Sequence, residues 1–148
     1  VGTLSNWKQA SASGNSKHSG FIRNDGTLWT CGYNNGGQLG NGNRINYSSP
    51  IQIGSLTNWS QVSCGGTHAA AIKTDGTIWT WGYSGAGELG NGTISTQYSS
   101  PIQIGSLTNW SQVAVGYTMT SALHCGSGEI GQESGLVIHI HHQFKLVR

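Results

Sequence analysis

The sequence YSSPIQIGSLTNWSQV occupies residues Tyr47–Val62, and the same sixteen residues return unchanged at Tyr98–Val113. The offset between the two copies is 51 residues. A duplication of this length defines a structural repeat, and a period near fifty residues is typical of propellers and arrays rather than of helical repeats. The repeat therefore determines the fold class before any local feature is considered.

The composition favours short strands that are joined by tight turns. Of 148 residues, 24 are glycine and six are tryptophan, whereas only 8% are charged. A net charge of +2 is too small for the basic surface that nucleic-acid binding requires. No apolar run approaches the roughly 18 residues that cross a bilayer. We therefore expect a β-rich protein with no nucleic-acid partner and no membrane span.

Each copy of the repeat shows the same order of strand and turn signals. In the second copy, the pair Asn58-Trp59 is followed by short apolar or alternating segments at 61–66, 68–73 and 77–82. Residues that favour β-strands alternate in these segments with period two. No segment keeps an apolar stripe of helical period, so the repeats are predicted to contain no helix.

Two further signals complete the strand pattern. An Asp-Gly pair at 25–26 and at 75–76 lies between apolar strands, and it predicts a hairpin with a two-residue type I′ turn in which both residues have positive φ. The segment SPIQIG predicts a fourth strand with proline at its start. Four antiparallel strands per repeat describe one propeller blade. We predict an all-β fold: an incomplete β-propeller with four-stranded antiparallel blades that repeat every ~51 residues.

The repeat boundaries divide the chain into four segments. They are a first repeat at 1–57 with an N-terminally truncated blade, a second repeat at 58–108, the start of a third repeat at 109–123, and a non-repeat tail at 124–148. Because the chain opens at Val1 partway through a repeat, we expect a fragment or a processed chain. The remaining blades would then belong to a longer protein.

The second copy resembles the repeat of the regulator of chromosome condensation family, which reads H-x-x-A-I-x-x-D-G-T-[LI]-W-x-W-G-x-x-x-x-G-x-L-G-x-G. The residues in its fixed places are His68, Ala71, Asp75-Gly76, Trp79, Trp81-Gly82 and Leu89-Gly90-Asn91-Gly92. The first copy departs from the pattern because Cys31 replaces the second tryptophan. The resemblance covers about residues 6–123 and implies a seven-bladed β-propeller. The resemblance also raises two activities known for particular family members, guanine-nucleotide exchange on a small GTPase and chromatin binding.

The tail breaks the repeat after Leu123. When the third base of each codon is read with the first two bases of the next, the permitted residues from His139 onward include YSSPIQIGS. In the same shifted frame, the codons of 124–130 fit the strand TIWTWG. We hypothesise that residues 124–148 are the out-of-frame translation of the next repeat, with a genuine divergent C-terminus as the alternative. The underlying DNA sequence distinguishes the two.

The histidine cluster of the tail is the strongest candidate for a metal site in the sequence. His139 and His141 would share one face of a strand, whereas His142 would lie on the other face. Two histidines without a nearby cysteine, aspartate or third histidine make a weak zinc site. We therefore predict no metal site.

We also predict no catalytic residue and no cofactor. His18 and His68 hold the same place in successive repeats, and Met119 takes that place in the third, which favours packing over catalysis. Asp25 and Asp75 belong to turns and do not form a carboxylate pair for acid–base chemistry. The glycine-rich loops lack the phosphate-binding motif G-x-x-x-x-G-K-[ST].

The cysteines give no disulfide pattern. Cys31, Cys64 and Cys125 are odd in number and unevenly spaced. We expect Cys31 and Cys64 to be free, buried residues that pack like valine.

We predict a non-catalytic scaffold that binds a protein partner through its loops, because a rigid fold usually displays its contacts there. The alternatives are an accessory propeller of a larger enzyme, an exchange-type regulator and a purely structural array. Trp29 and Trp79 hold the same position and strand face in successive repeats and are expected in the core between blades, with a surface stacking platform as the alternative. The residues expected to make loop contacts are Tyr33, Asn34, Asn35, Tyr83, Ser84 and Glu88.

Overall fold

The computed structural model describes residues 6–12, 17–116 and 120–123, and these residues form β-strands and no helix. The tail at 124–148, with its frame-shift hypothesis and its histidines, lies outside the described residues. The strands are β1 Trp7–Ala12, β2 His18–Arg23, β3 Leu28–Gly32, β4 Tyr47–Gln52, β5 Trp59–Cys64, β6 His68–Lys73, β7 Ile78–Ser84, β8 Thr96–Ile104, β9 Gln112–Val115 and β10 Thr120–Leu123.

The strands form antiparallel sheets in which neighbours in the sequence are neighbours in space. One sheet has the order β1-β2-β3-β4, the next has the order β5-β6-β7-β8, and β9 pairs with β10. Each four-stranded sheet is one blade, which we call blade one (7–52) and blade two (59–104), and β9–β10 begin blade three. The sheets do not close into a ring, so the chain is an incomplete propeller, as predicted.

The Asp-Gly turns differ in type from the prediction. Gly26 has a φ of 78°, but the φ of Asp25 is not positive, and a type I′ turn requires positive φ at both residues. Gly26 N donates to Arg23 O at 2.9 Å, and Arg23 N donates to Thr27 O at 3.1 Å. The turn therefore has three residues and ends in one left-handed glycine. The Asp25 carboxylate accepts from Thr27 N at 3.0 Å, which holds the aspartate in place, and the second copy repeats this arrangement.

Proline lies inside the fourth strand of each blade, whereas the sequence predicted it at the start of that strand. β4 already begins at Tyr47, and the ladder to β3 shifts between Thr30↔Ile51 and Gly32↔Tyr47, which leaves Pro50 in the irregular stretch. Because β4 is an outer strand with one unpaired edge, the missing N–H of proline costs little there. Pro101 has the same place in β8.

The core lies between blades rather than within one. Blade one offers an aliphatic face, and blade two covers it with a face that carries its tryptophans. The same pairing recurs between blade two and blade three, so each repeat supplies one face of each kind. Burying one such large side chain contributes about 1.5–3 kcal/mol. The aliphatic faces contain Ile22, Leu28 and Ile53 in blade one, and Ile72, Ile78 and Ile104 in blade two.

Tryptophan burial differs from the expectation. Trp81 is fully buried between the blades, whereas Trp29 and Trp79 are half-buried and Trp79 packs on the edge of the core. Cys31 and Cys64 are free, as predicted; Cys64 is buried, but Cys31 is only half-buried.

Side-chain hydrogen bonds join the first strands of successive blades, where no backbone hydrogen-bond ladder is formed between the described sheets. Gln9 Nε2 donates to Val62 O and Gln9 Oε1 accepts from Val62 N, both at 3.0 Å. Cys64 N donates to Ser11 Oγ at 3.0 Å. One repeat later, Ser63 Oγ accepts from Val115 N at 2.9 Å. These bonds satisfy backbone groups that would otherwise have no partner at the seam between sheets.

Candidate binding surface

Sheet topology places the long loops of both blades on one side of the protein. In an antiparallel meander the connections alternate between the two ends of the strands. The β3–β4 loop (33–46) and the β7–β8 loop (85–95) therefore leave the same end of their blades. We call these the upper loops. The Asp-Gly turns and the β4–β5 connection at 53–58 lie at the opposite end of the strands, which we call the lower edge.

The first upper loop is built around one buried side chain. Asn34 is fully buried; its Nδ2 donates to Asn41 Oδ1 at 3.0 Å and to Ile45 O at 3.1 Å. Its Oδ1 accepts from Leu39 N at 2.8 Å. Because these bonds tie both ends of the loop to one amide, the loop is held in a single shape without regular secondary structure.

The second upper loop has a weaker version of this arrangement. Ser84 is buried in the place of Asn34, and its hydroxyl accepts from Leu89 N and donates to Thr93 O, each at 3.4 Å. Longer and fewer bonds imply a less firmly held loop. The loop also contains Ser95, a non-glycine residue with a φ of 55°, next to the exposed Ile94.

The first upper loop is also clamped onto blade two. Trp81 Nε1 donates to Gln38 O at 2.8 Å, and Gly42 N donates to Ser99 O at 2.7 Å. A Cβ at Gly40 would lie 2.9 Å from the Trp81 ring, which leaves no room for a side chain. The position of this loop is therefore fixed by the neighbouring blade as well as by its own amide network.

The structure separates the predicted contact residues into two groups. Tyr33 and Asn35 are exposed, and Tyr83 and Glu88 are half-buried. Asn34 and Ser84 are fully buried and hydrogen-bond the loops from inside. Tyr83 and Ser84 also belong to strand β7 rather than to a loop. The carboxylate of Glu88 accepts from Ala86 N at 2.7 Å and so takes part in its own turn.

Two exposed isoleucines were missed by the sequence reasoning. Ile45 is 62% exposed and Ile94 is 67% exposed, one on each upper loop. A lone β-branched apolar residue among polar loop residues, present in both copies, is the signal that would have revealed them. The lower edge carries a second pair, Leu56 at 46% and Leu107 at 50% exposure.

The pKa shifts of the described histidines and aspartates arise from burial and from hydrogen bonds within turns. Burial lowers the pKa of His18 and of His68 to about 4, so both imidazoles are neutral at pH 7. Hydrogen bonds from Thr27 and Thr77 lower the pKa of Asp25 and Asp75. Among the described residues no group of three or more histidines, cysteines or carboxylates is arranged to hold a metal ion, and no helix is long and apolar enough to cross a membrane.

Comparison with known proteins matches the repeat directly. The family model "Regulator of chromosome condensation (RCC1) repeat" matches residues 25–72 and 75–123, and a second model of the same description matches residues 59–88. Each match at 25–72 and 75–123 begins at an Asp-Gly turn and therefore runs from the middle of one blade into the next. No curated protein matches the chain.

Solved structures share the fold. Human WBSCR16 has a TM-score of 0.72 and 28% identity over 84% of this chain and 32% of its own. Prp20p from Saccharomyces cerevisiae, described with its binding to Gsp1p and histones, has a TM-score of 0.67 and 18% identity over 81% of this chain and 31% of its own. Yeast Prp20 bound to Kap60 gives a TM-score of 0.69 at 17% identity, over 81% of this chain and 30% of its own. The chain thus spans about a third of these proteins.

Proposed function

Because the chain belongs to the regulator of chromosome condensation (RCC1) repeat family, we propose that it is a non-catalytic propeller segment that binds another protein through its upper loops. The observation that carries this proposal is the pair Ile45 and Ile94, each exposed on an upper loop of successive blades. Prp20p, which has the same fold, is described as binding Gsp1p and histones, and this supports a protein as the partner.

The loop that holds Ile45 is preorganised for binding. The Asn34 amide and the contact with blade two fix the loop before any partner arrives. A fixed loop loses little conformational entropy on binding, so more of the contact energy is available for affinity. Covering each isoleucine would contribute about 1.5–3 kcal/mol, and Tyr33 on the same loop adds an exposed aromatic ring.

The repeat also determines how the contacts are spaced. Ile45 and Ile94 lie one blade apart, so a partner that reaches across the seam meets both at once. Two linked contacts bind more tightly than either alone because the second forms at a high effective concentration. We therefore assign the partner a surface with two apolar recesses.

The double substitution Ile45→Ser with Ile94→Ser tests this proposal. We expect at least a tenfold loss of affinity for a purified partner, found by affinity capture and then reconstituted, because two buried apolar contacts are removed. The melting temperature should remain unchanged, since both side chains are exposed.

The control is Leu107→Ser, which removes an exposed apolar residue from the lower edge. This variant should bind as the unaltered chain does. If the control loses binding while the Ile45 and Ile94 variant keeps it, the upper loops are not the contact surface.

A further inference from the structure

The seam between blades one and two contains a cavity of about 370 Å³ whose lining includes neither Ile45 nor Ile94. The β4–β5 connection contributes Ile53 and Leu56 to its lining, and blade two contributes Trp59, Lys73 and Trp79. We propose that this cavity binds a carboxylate side chain of a partner protein, held by the Lys73 ammonium. Gly40 and Asn41 of the first upper loop also line the cavity, but the proposal does not depend on the function proposed for the upper loops.

Lys73 is an unusual lysine because it is only 8% exposed. Its Nζ lies 3.6 Å from the ring centre of Trp79 and 5.0 Å from that of Trp59, so two indoles attract the charge. Within the described part of the chain, the ammonium donates no hydrogen bond and has no carboxylate within 4.0 Å. An ammonium has three donors, which remain available to an oxygen acceptor that enters the cavity.

The charges around Lys73 favour an anion. Burial lowers the pKa of Lys73, and the charge of Asp75 opposes that change. Asp75 is itself exposed, and its carboxylate accepts hydrogen bonds from Thr77 N and Oγ1 at 3.0 and 2.7 Å. Because water screens the exposed charge of Asp75, a second carboxylate that enters the cavity and contacts the Lys73 ammonium directly would stabilise its charge more than Asp75 does.

A second donor in the lining lacks an acceptor. Trp59 is buried, and its Nε1–H has no hydrogen-bond partner among the residues that the structure describes. A buried donor without an acceptor is costly, and a ligand that brings oxygen atoms into this lining removes that cost. A carboxylate offers two oxygens, and its acidic side chain has a methylene stem that can pack against the indole rings.

An exposed apolar residue beside the cavity favours a protein segment as the occupant. A cavity of about 370 Å³ is at the small end of the range of ligand sites. Leu56, which lines it, is 46% exposed and offers an apolar contact to the residues that flank an acidic side chain in a polypeptide. We therefore assign the site to a glutamate-containing segment of a partner.

The proposal is tested with an acetylated tetraglutamate amide added to the 148-residue chain. We expect saturable shifts of the indole N–H resonances of Trp59 and Trp79 in a nitrogen–proton correlation spectrum, and no shifts with tetraglutamine amide. Absence of shifts with tetraglutamate would overturn the proposal. Equal binding of inorganic phosphate would overturn the carboxylate assignment.

Three substitutions assign any binding to Lys73. Lys73→Gln should weaken tetraglutamate binding ~10-fold because one charge-assisted contact is lost. Lys73→Arg should retain binding, since Arg23 holds the equivalent place over Trp7 and Trp29 in blade one. Lys8→Gln removes the same charge from an exposed position and should have no effect.

The substitutions also define the contradicting results. If Lys73→Gln binds as tightly as the unaltered chain, or if Lys8→Gln is weakened to the same extent, the interaction is a general charge effect and the cavity is not the site. If Lys73→Gln does not fold, loss of tetraglutamate binding in Lys73→Arg would count against the proposal, because that variant keeps the charge.

Discussion

Trp81→Ala is expected to lower the free energy of unfolding by about 3–5 kcal/mol. The side chain is fully buried between the blades, where its ring lies 6.4 Å from that of Trp59. The substitution also removes the donor to Gln38 O, which leaves a buried carbonyl without that partner. Both losses occur at the seam, so blade one and blade two should separate more easily. Chemical denaturation followed by circular dichroism measures the change.

The matched control is Trp79→Ala, two residues along the same strand. Trp79 is half-buried and keeps one side in the cavity beside Lys73, so its loss should cost clearly less than that of Trp81. Equal losses for the two variants would show that the seam does not have the packing described here.

Acidification is expected to destabilise the protein well above the pH at which carboxylates titrate. The pKa of His18 and of His68 is lowered to about 4 in the folded state, from an ordinary value of 6.5. The unfolded chain therefore binds protons between pH 6.5 and 4 while the folded chain does not, so stability falls as the pH falls through this window. Each histidine should remove about 2 kcal/mol by pH 5 and about 3 kcal/mol near pH 4.

The aspartates act in a different window. Their lowered pKa means that stability from Asp25 and Asp75 is present above about pH 3.8 and is lost only below it. Asp25 and Asp75 should therefore add little to the change in melting temperature between pH 7 and 4.5.

His68→Met supplies the control, because methionine occupies the corresponding sequence position, Met119, in the third copy. This variant should lose roughly half of the pH dependence. A melting temperature that stays constant between pH 7 and 4.5 in the unaltered chain would contradict the burial of both imidazoles.

The sequence predicted the features that depend on repetition and alternation. Tyr47–Val62 and Tyr98–Val113 repeat, the strands alternate with period two, and Asp-Gly marks a hairpin; together these predicted four-stranded blades, and the structure has them. The predicted turn type was wrong because Asp25 forms hydrogen bonds to Thr27 and so stabilises a three-residue loop, a tertiary detail that composition does not reveal.

Burial within the loops and faces was harder to predict. Asparagine is usually exposed in a loop, yet Asn34 is buried at the centre of a hydrogen-bond network. That network depends on the three-dimensional course of the loop. Trp79 and Trp81 share a strand face, but Trp81 is the one that donates a hydrogen bond to the loop of the preceding blade. Period-two alternation identifies a face and does not identify which of its residues a neighbouring blade covers.

The phase of the repeat also has a physical meaning. The family match runs from one Asp-Gly turn to the next and so joins the outer half of one blade to the inner half of the following one. Each family unit therefore contains the connection between blades, where Trp59 N donates to Gly26 O at 3.0 Å. Repetition of this unit reproduces the stacking as well as the sheet.

The central claim is that successive repeats stack face to face, with Trp81 of blade two inserted under the upper loop of blade one. The most direct measurement is a nuclear Overhauser experiment on the Trp81 indole N–H. Because a Cβ at Gly40 would lie 2.9 Å from Trp81 Nε1, the account predicts a strong cross-peak to the α protons of Gly40. Cross-peaks only to residues of its own blade, 59–104, would contradict it.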